Sequence, residues 1–456
     1  MEVKTSTVAP ADVRATLGRH LLADGLPLVL DLDASKGLRL VDAASGKTYL
    51  DLFGFYASSA VGLNHPKMTG DADFLQRLTQ AALNKVTNSD VYTPHMARFL
   101  ATFSRVGIPE ALPHAFFVEG GALAVENALK AAFDWKVRKN FVKGYTREVG
   151  TRVLHFTHAF HGRSGYTMSL TNTDPRKVAY FPKFDWPRIE SPAMVFPCTG
   201  ENLDETVRRE ERALAQARMA FQEHGDDIAC ILIEPVQSEG GDHHFRPEFL
   251  QALKDLCAEH DCLLIFDEVQ TGVGMGGAFW CFEALGVTPD LIAFGKKTQV
   301  CGILAGRRLD EVHDNVFQLS SRINSTWGGN LVDMVRFDKI LEIIEEDGLV
   351  DNANARGAEL VAGLEALART HEAVQQVRGR GLLVAFDLPT PGYRNRVLEL
   401  CWEYGAVLLG CGHTAIRFRP PLTITADEVQ EGLAILGRAL AQAESEEIDA
   451  TRKGRK

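Results

Sequence analysis

The chain has no run approaching the ~20 uninterrupted apolar residues a membrane helix needs, so no transmembrane segment is expected. Its first residues, MEVKTSTVAPADVR, lack an apolar stretch of the kind a secretory signal requires. Basic residues are in deficit: 49 Lys and Arg face 60 Asp and Glu, a net charge of −11. That balance argues against a nucleic-acid partner and against an anionic membrane surface, both of which need a basic patch. The eight cysteines include no C-x-x-C pair and no framework spacing, so they read as reduced thiols of a cytoplasmic protein. Internal repeats and low-complexity tracts are also missing.

What is present is ample apolar material in 456 residues, including 25 Phe, enough for two or three domains with real cores. The middle of the chain alternates short apolar runs with amphipathic helical patterns, which predicts an α/β fold with a mostly parallel sheet. The clearest strands are IACILIEPV from Ile228, LLIFDEV from Leu263 and LIAFGK from Leu291. Each is apolar at successive positions, as expected for strands covered on both faces. Val207, Leu214, Ala217 and Phe221 keep one helix face apolar between them. After about residue 335 the character changes. A helix with Ile340, Ile343 and Ile344 leads to runs at 382–386, 406–409 and 415–418, which read as a smaller sheet. A final helix opens on Thr425 and Glu428 at capping-box spacing, and the charged TRKGRK end is expected to fray. The expected division is an N-terminal segment, 1–65, contributing to a small domain; a large domain, 66–335; and a small C-terminal α+β domain, 336–456.

Three features of the large domain carry chemistry. Asp267 closes the run LLIF, at the carboxyl end of a strand, where α/β sheets bind ligands. By position alone a helix cap or surface acid accounts for it equally well. Lys296 closes LIAFG, and lysine seldom ends a buried strand without a task. Neighbouring Lys297 is expected to lower its pKa by like-charge repulsion, and strand alternation to send the two lysines to opposite faces. Gly120-Gly121-Ala122 precedes a helical pattern, where free N–H groups and the helix dipole favour a phosphate. A lysine, a buried acid and a phosphate cup together suit pyridoxal 5'-phosphate (PLP), which needs a covalent lysine and a partner for its ring nitrogen.

A rival signal is Gly272-Val273-Gly274-Met275-Gly276-Gly277, which satisfies the dinucleotide fingerprint G-x-G-x-x-G. A dehydrogenase would need a helix opening on those glycines and an acid ending the next strand; here that strand ends in Lys296. The pair His243-His244 has no spaced partners for a metal and reads as a solvated loop.

The segment FDEVQTGVGMGGAFWCFEALGVTPDLIAFGKK resembles the signature of the class III (ω-) aminotransferases, which have PLP fold type I. The resemblance runs from about Leu50 to Leu440. It implies that Lys296 is the Schiff-base lysine and proton shuttle, and that Asp267 partners the ring nitrogen. By the same resemblance Val269 is expected to pack on the ring, Gln270 to lie near its phenolic oxygen, and Phe160 to stack on the other face. Gly121 and Ala122 match the family's phosphate cup; many relatives have Ser-Gly-Thr where this chain has Gly-Gly-Ala, which is expected to shift phosphate binding toward backbone amides. Thr326, in Asn324-Ser325-Thr326-Trp327-Gly328-Gly329-Asn330, matches a threonine donated to the phosphate across a homodimer interface. Arg163 matches an arginine that holds the α-carboxylate of a basic amino acid. Arg417 matches the arginine for the α-carboxylate of 2-oxoglutarate; Arg419 is placed on the same strand face. Glu239 resembles a glutamate that covers Arg417 until the keto acid arrives, and Tyr56 falls near the substrate carboxylate. The stretches FHGRSGYTMSLTNTDPRKVAYFPKFDWPRI, FGKKTQVCGILAGRR and NSTWGGNLVDMVR are most similar to the branch of the class whose donor is L-lysine. Ornithine, acetylornithine and 4-aminobutyrate are the alternative donors.

Overall fold

The computed structural model describes residues 8–454. The first seven residues, and Arg455 and Lys456 of the TRKGRK end, lie outside the described residues; the last helix runs from Ala426 to Gly454.

The large sheet has seven strands: β1 (His114–Val118), β2 (Arg152–Phe156), β3 (Arg188–Ile189), β4 (Ile228–Ile233), β5 (Leu263–Asp267), β6 (Leu291–Phe294) and β7 (Cys301–Ala305). Their spatial order is β1-β7-β6-β5-β4-β2-β3. Neighbours from β6 to β3 are parallel, and β7 alone runs against its neighbours. Every residue of β4, β5, β6 and β7 is buried, which is why these strands read as unbroken apolar runs rather than alternations. Helix α1 (Gly121–Val142) follows β1 and lies along the sheet, burying Ala124, Ala128, Leu129, Ala132 and Trp135. β5 and β6 are paired with Ala293 opposite Asp267, so the segments after both strands emerge side by side.

Two smaller sheets complete the fold. One joins Gln375–Arg380, Leu383–Asp387, Ala415–Phe418 and Leu409–Cys411; the other joins Arg39–Val41 and Thr48–Asp51 to Ala406–Val407. The run at 406–409 is therefore two strands in different sheets, not one. A short apolar run carries no mark of which partner each half pairs with. Strand ends also retreat: β6 stops at Phe294, and Lys296 sits in a one-turn 3₁₀ segment, Lys296–Thr298, with φ +57°. Alternation along β6 thus does not decide where the two lysines point. The Thr425–Glu428 capping box is formed in both directions. No helix among the described residues is long and apolar enough to cross a membrane.

Candidate active site

A cavity of ≈ 290 Å³ lies beyond the carboxyl ends of β5 and β6. Gly121, Ala122, Phe160, Val269, Gln270, Asp267 and Lys296 line it, together with His161, Gly162 and Glu234. Seven residues expected from sequence therefore line one cavity, although they come from four stretches of chain.

Asp267 is 5% exposed, and its carboxylate lies 2.8 Å from His161 Nδ1 while accepting the Val269 N–H at 3.1 Å. His161 Nε2 is buried with no partner. Glu234 also faces the cavity and accepts the Phe160 and Ser238 N–H groups. Burial, and then the Asp267 charge, push its carboxyl well above the usual range. Two carboxyls close together in a buried site cannot both ionise cheaply, which favours the protonated form of Glu234.

Lys296 donates to the Tyr56 carbonyl at 3.0 Å. Burial, helped by the Arg417 charge and to a lesser extent Arg419, lowers its amine to about 8. The expected repulsion from Lys297 is not what does this. Lys297 is fully buried and itself pushed well below the ordinary lysine range, chiefly by burial. A largely neutral amine repels little. Its two carbonyl partners, Ala57 and Gln270, match the two hydrogens of a neutral amine. The Tyr56, Ala57 and Ser58 carbonyls thus accept in succession from Lys296, Lys297 and Gln299. That alignment needs a left-handed run, with φ of 51°, 60° and 65° at Phe55, Tyr56 and Ala57. Asp51 holds its start by accepting the Phe53 and Gly54 N–H groups. The Tyr56 side chain is 52% exposed, so its carbonyl, not its ring, meets Lys296.

At the phosphate end, no side chain caps α1, and Gly120 has φ +104°. Gly162, at φ +122°, packs so close to Ala122 that an added Cβ would lie 2.5 Å from the alanine methyl. The geometry leaves an uncapped N-terminus of a 22-residue helix open to an anion. The residues fit PLP: a depressed lysine, a buried carboxylate steadied by histidine, and this anion cup all face one cavity.

The residues expected on the substrate side lie outside the cavity lining, with Arg417 and Glu239 near enough to Lys296 to act on its charge. Arg417 is 1% exposed and donates to Glu239 at 2.7 Å, while its Nε and Nη1 have no partner. Arg419 instead follows the strand end at Phe418 and is committed to Asp242, Gln270 and the Phe418 carbonyl. The two arginines therefore do not share a role by sharing a face; only Arg417 has spare donors. Glu239 also accepts from Lys177 at 2.8 Å. Burial opposes its charge, but Arg417 and Lys177 hold its carboxyl below the usual range. Arg163 is exposed, with its guanidinium 5.9 Å from the Phe160 ring centre and no hydrogen bond or ion pair among the described residues. Thr326 is exposed and does not line this chain's cavity; its carbonyl lies 3.5 Å from Ser89 Oγ.

His161, Glu234 and Lys177 have no role assigned from sequence. His161 and Lys177 stand inside the quoted stretch FHGRSGYTMSLTNTDPRKVAYFPKFDWPRI and Glu234 inside IACILIEPV, but neither stretch marks the partners these residues find far along the chain. The His243-His244 pair is not solvated: it forms a short strand against Val236–Gln237, and burial lowers both rings. No group of metal-binding residues occurs among the described residues. The Gly272–Gly277 stretch is a chain of turns, and no helix opens on it. Gly276 packs on Cys281 and Gly272 on Trp280, so these glycines serve close packing rather than a dinucleotide.

The aminotransferase class-III family matches residues 23–440. The chain is 55% identical over 434 residues to an L-lysine-epsilon aminotransferase of Mycobacterium tuberculosis, covering 94% of this chain and 96% of that one. It is 52% identical over 438 residues to the protein of the same name from Streptomyces clavuligerus, covering 95% of each. A solved structure of lysine aminotransferase from M. tuberculosis in the internal aldimine form superposes with a TM-score of 0.94, at 55% identity over 96% of this chain and 100% of that chain.

Proposed function

Because the chain belongs to the class III aminotransferases, we infer that it transfers the ε-amino group of L-lysine to 2-oxoglutarate, giving 2-aminoadipate 6-semialdehyde and glutamate. Class III aminotransferases depend on PLP, which when bound supplies a carbonyl for amines and a protonated ring that accepts electrons. Lys296 would hold it covalently, Asp267 would face its ring nitrogen, and the first turn of α1 would take its phosphate.

The protein's own groups then divide the work. Lys296, with its depressed pKa, removes a proton from the substrate carbon that bears the reacting amine. His161 orients Asp267 and keeps it from turning away. Phe160 and Val269 wall the cavity against water. Arg163 has the free guanidinium that the α-carboxylate of lysine needs. Thr326 serves the cavity of a second copy in a homodimer.

The observation that carries the two-substrate reading is the Arg417–Glu239 pair. While Glu239 lies on Arg417, a substrate without a carboxylate at that end enters by its distal amine. When 2-oxoglutarate enters, its α-carboxylate takes the spare donors of Arg417 and Glu239 gives way. One pocket thereby serves a diamino acid and a dicarboxylate in alternating half-reactions. An amine-donor panel with 2-oxoglutarate tests the donor. Lysine should exceed ornithine, one methylene shorter, by about tenfold or more in kcat/KM. Equal or better turnover of ornithine or 4-aminobutyrate overturns the lysine reading.

A further inference from the structure

Glu239 does not simply cover Arg417. One carboxylate oxygen takes the Arg417 Nη2 at 2.7 Å and the other takes Lys177 Nζ at 2.8 Å. Lys177 ends a 3₁₀ turn, Pro175–Lys177, in the loop that follows Phe160 and Arg163 in the chain. Its Nζ also lies 5.2 Å from the Phe160 ring centre and 3.3 Å from the Thr173 hydroxyl. Lys177 is half-buried, and no other carboxylate forms an ion pair with it among the described residues.

We propose that Lys177 is the positioning residue to which Glu239 stays anchored when it releases Arg417, so that Lys177 sets how easily the pocket opens for the dicarboxylate. The proposal rests on the reading of Glu239 given above and adds its second partner. In the covered state Glu239 is held by both cations. In the open state Arg417 binds the incoming carboxylate, and Glu239 would be left partly buried without a counter-charge unless Lys177 holds it. An unpaired buried carboxylate is expensive, so an anchor retained through the exchange lowers the cost of opening. Losing Lys177 leaves the covered state with its Arg417 bond and strips the open state of its only one. The penalty therefore falls on dicarboxylate binding.

The test uses the PLP-loaded enzyme with Lys177→Met and Lys177→Arg. Calorimetry measures binding of glutarate, a dicarboxylate with no reactive carbonyl, and single-turnover mixing measures each half-reaction. Lys177→Met should weaken glutarate by about tenfold, the size of one charge-assisted hydrogen bond, and Lys177→Arg should restore most of it. Loss in the 2-oxoglutarate half-reaction should exceed loss in the lysine half-reaction by a similar ratio. In a Glu239→Ala background, Lys177→Met should have little further effect on glutarate. Equal losses in both half-reactions, or an undiminished effect without Glu239, overturn the proposal, because Lys177 would then be acting on the ring wall or on the ligand directly. Glu239→Ala by itself separates the underlying reading. It should impair the lysine half-reaction more than the 2-oxoglutarate one, and failure of that asymmetry removes the Glu239 exchange whatever Lys177 does.

Discussion

At the scale of residues, the reactive centre is built from two amines treated differently by burial. Lys296 keeps a titration near 8 because Glu239 and Asp267 offset part of the cost of burial, whereas Lys297 has no such relief nearby except Glu268. The sign of the pH effect follows. Only the neutral amine attacks a carbonyl, so recombination of the cofactor-free protein with PLP should speed up as pH rises through about 8. An ordinary lysine would keep accelerating toward about 10.4. Rapid-mixing absorbance across pH 6–10 checks this, and a profile that shows no bend below about pH 10 would count against the depressed amine. Lys296→Ala should lower kcat by about a thousandfold or more, since it removes the amine proposed as both covalent anchor and proton carrier.

At the scale of elements, the left-handed segment Phe55–Ala57 is held on one side by Asp51 and on the other by Lys296 and Lys297. Burial raises Asp51 to about 6, although its two N–H donors pull the other way. Its folded-state value thus exceeds its unfolded one, the reverse of the usual carboxylate. Between about pH 4 and 6 the folded chain binds more protons than the unfolded chain, so stability falls as pH rises through that window. Asp51→Asn keeps an oxygen for the Phe53 and Gly54 N–H groups and removes the charge. Denaturant melts of both proteins should show this part of the pH slope missing in the variant, a difference on the order of 2 kcal/mol at pH 7. A slope identical in the two proteins would mean that Asp51 does not titrate in this window. The same segment shows why element ends resist prediction: three consecutive non-glycine residues at positive φ have no composition signal, because the strain is offset by carbonyl partners distant in the chain.

At the scale of the whole molecule, one cavity draws on the large sheet and α1, and the Phe53–Ser58 segment and the strand that carries Arg417 reach it through Lys296. Thr326 stands apart, exposed and away from its own chain's cavity. If it completes the phosphate site of a second copy, two inactive variants should rescue each other. In a mixed dimer of Lys296→Ala and Thr326→Ala, one site combines an intact lysine with an intact threonine from the neighbour. Mixing after reversible dissociation should therefore restore activity and PLP affinity above either parent. No recovery in verified mixed dimers would place Thr326 outside the neighbour's site.

The residues themselves determined the buried parallel strands β4, β5 and β6, the acid that closes β5, the lysine just beyond β6, and the glycines that open α1. Burial on both faces writes itself into local apolar runs, and a covalent cofactor demands residue types that stand out there. Tertiary structure decided what depends on partners far along the chain. Glu239 meets Arg417 across 178 positions and Lys177 across 62, and Lys296 finds the Tyr56 carbonyl across 240. It also decided that Arg417 keeps spare donors while Arg419 spends its own on Asp242, and that Lys297 titrates low instead of lowering Lys296. Hydrogen-bond commitments and desolvation are set by which groups end up within a few ångströms of one another, and periodicity along a chain carries no record of that.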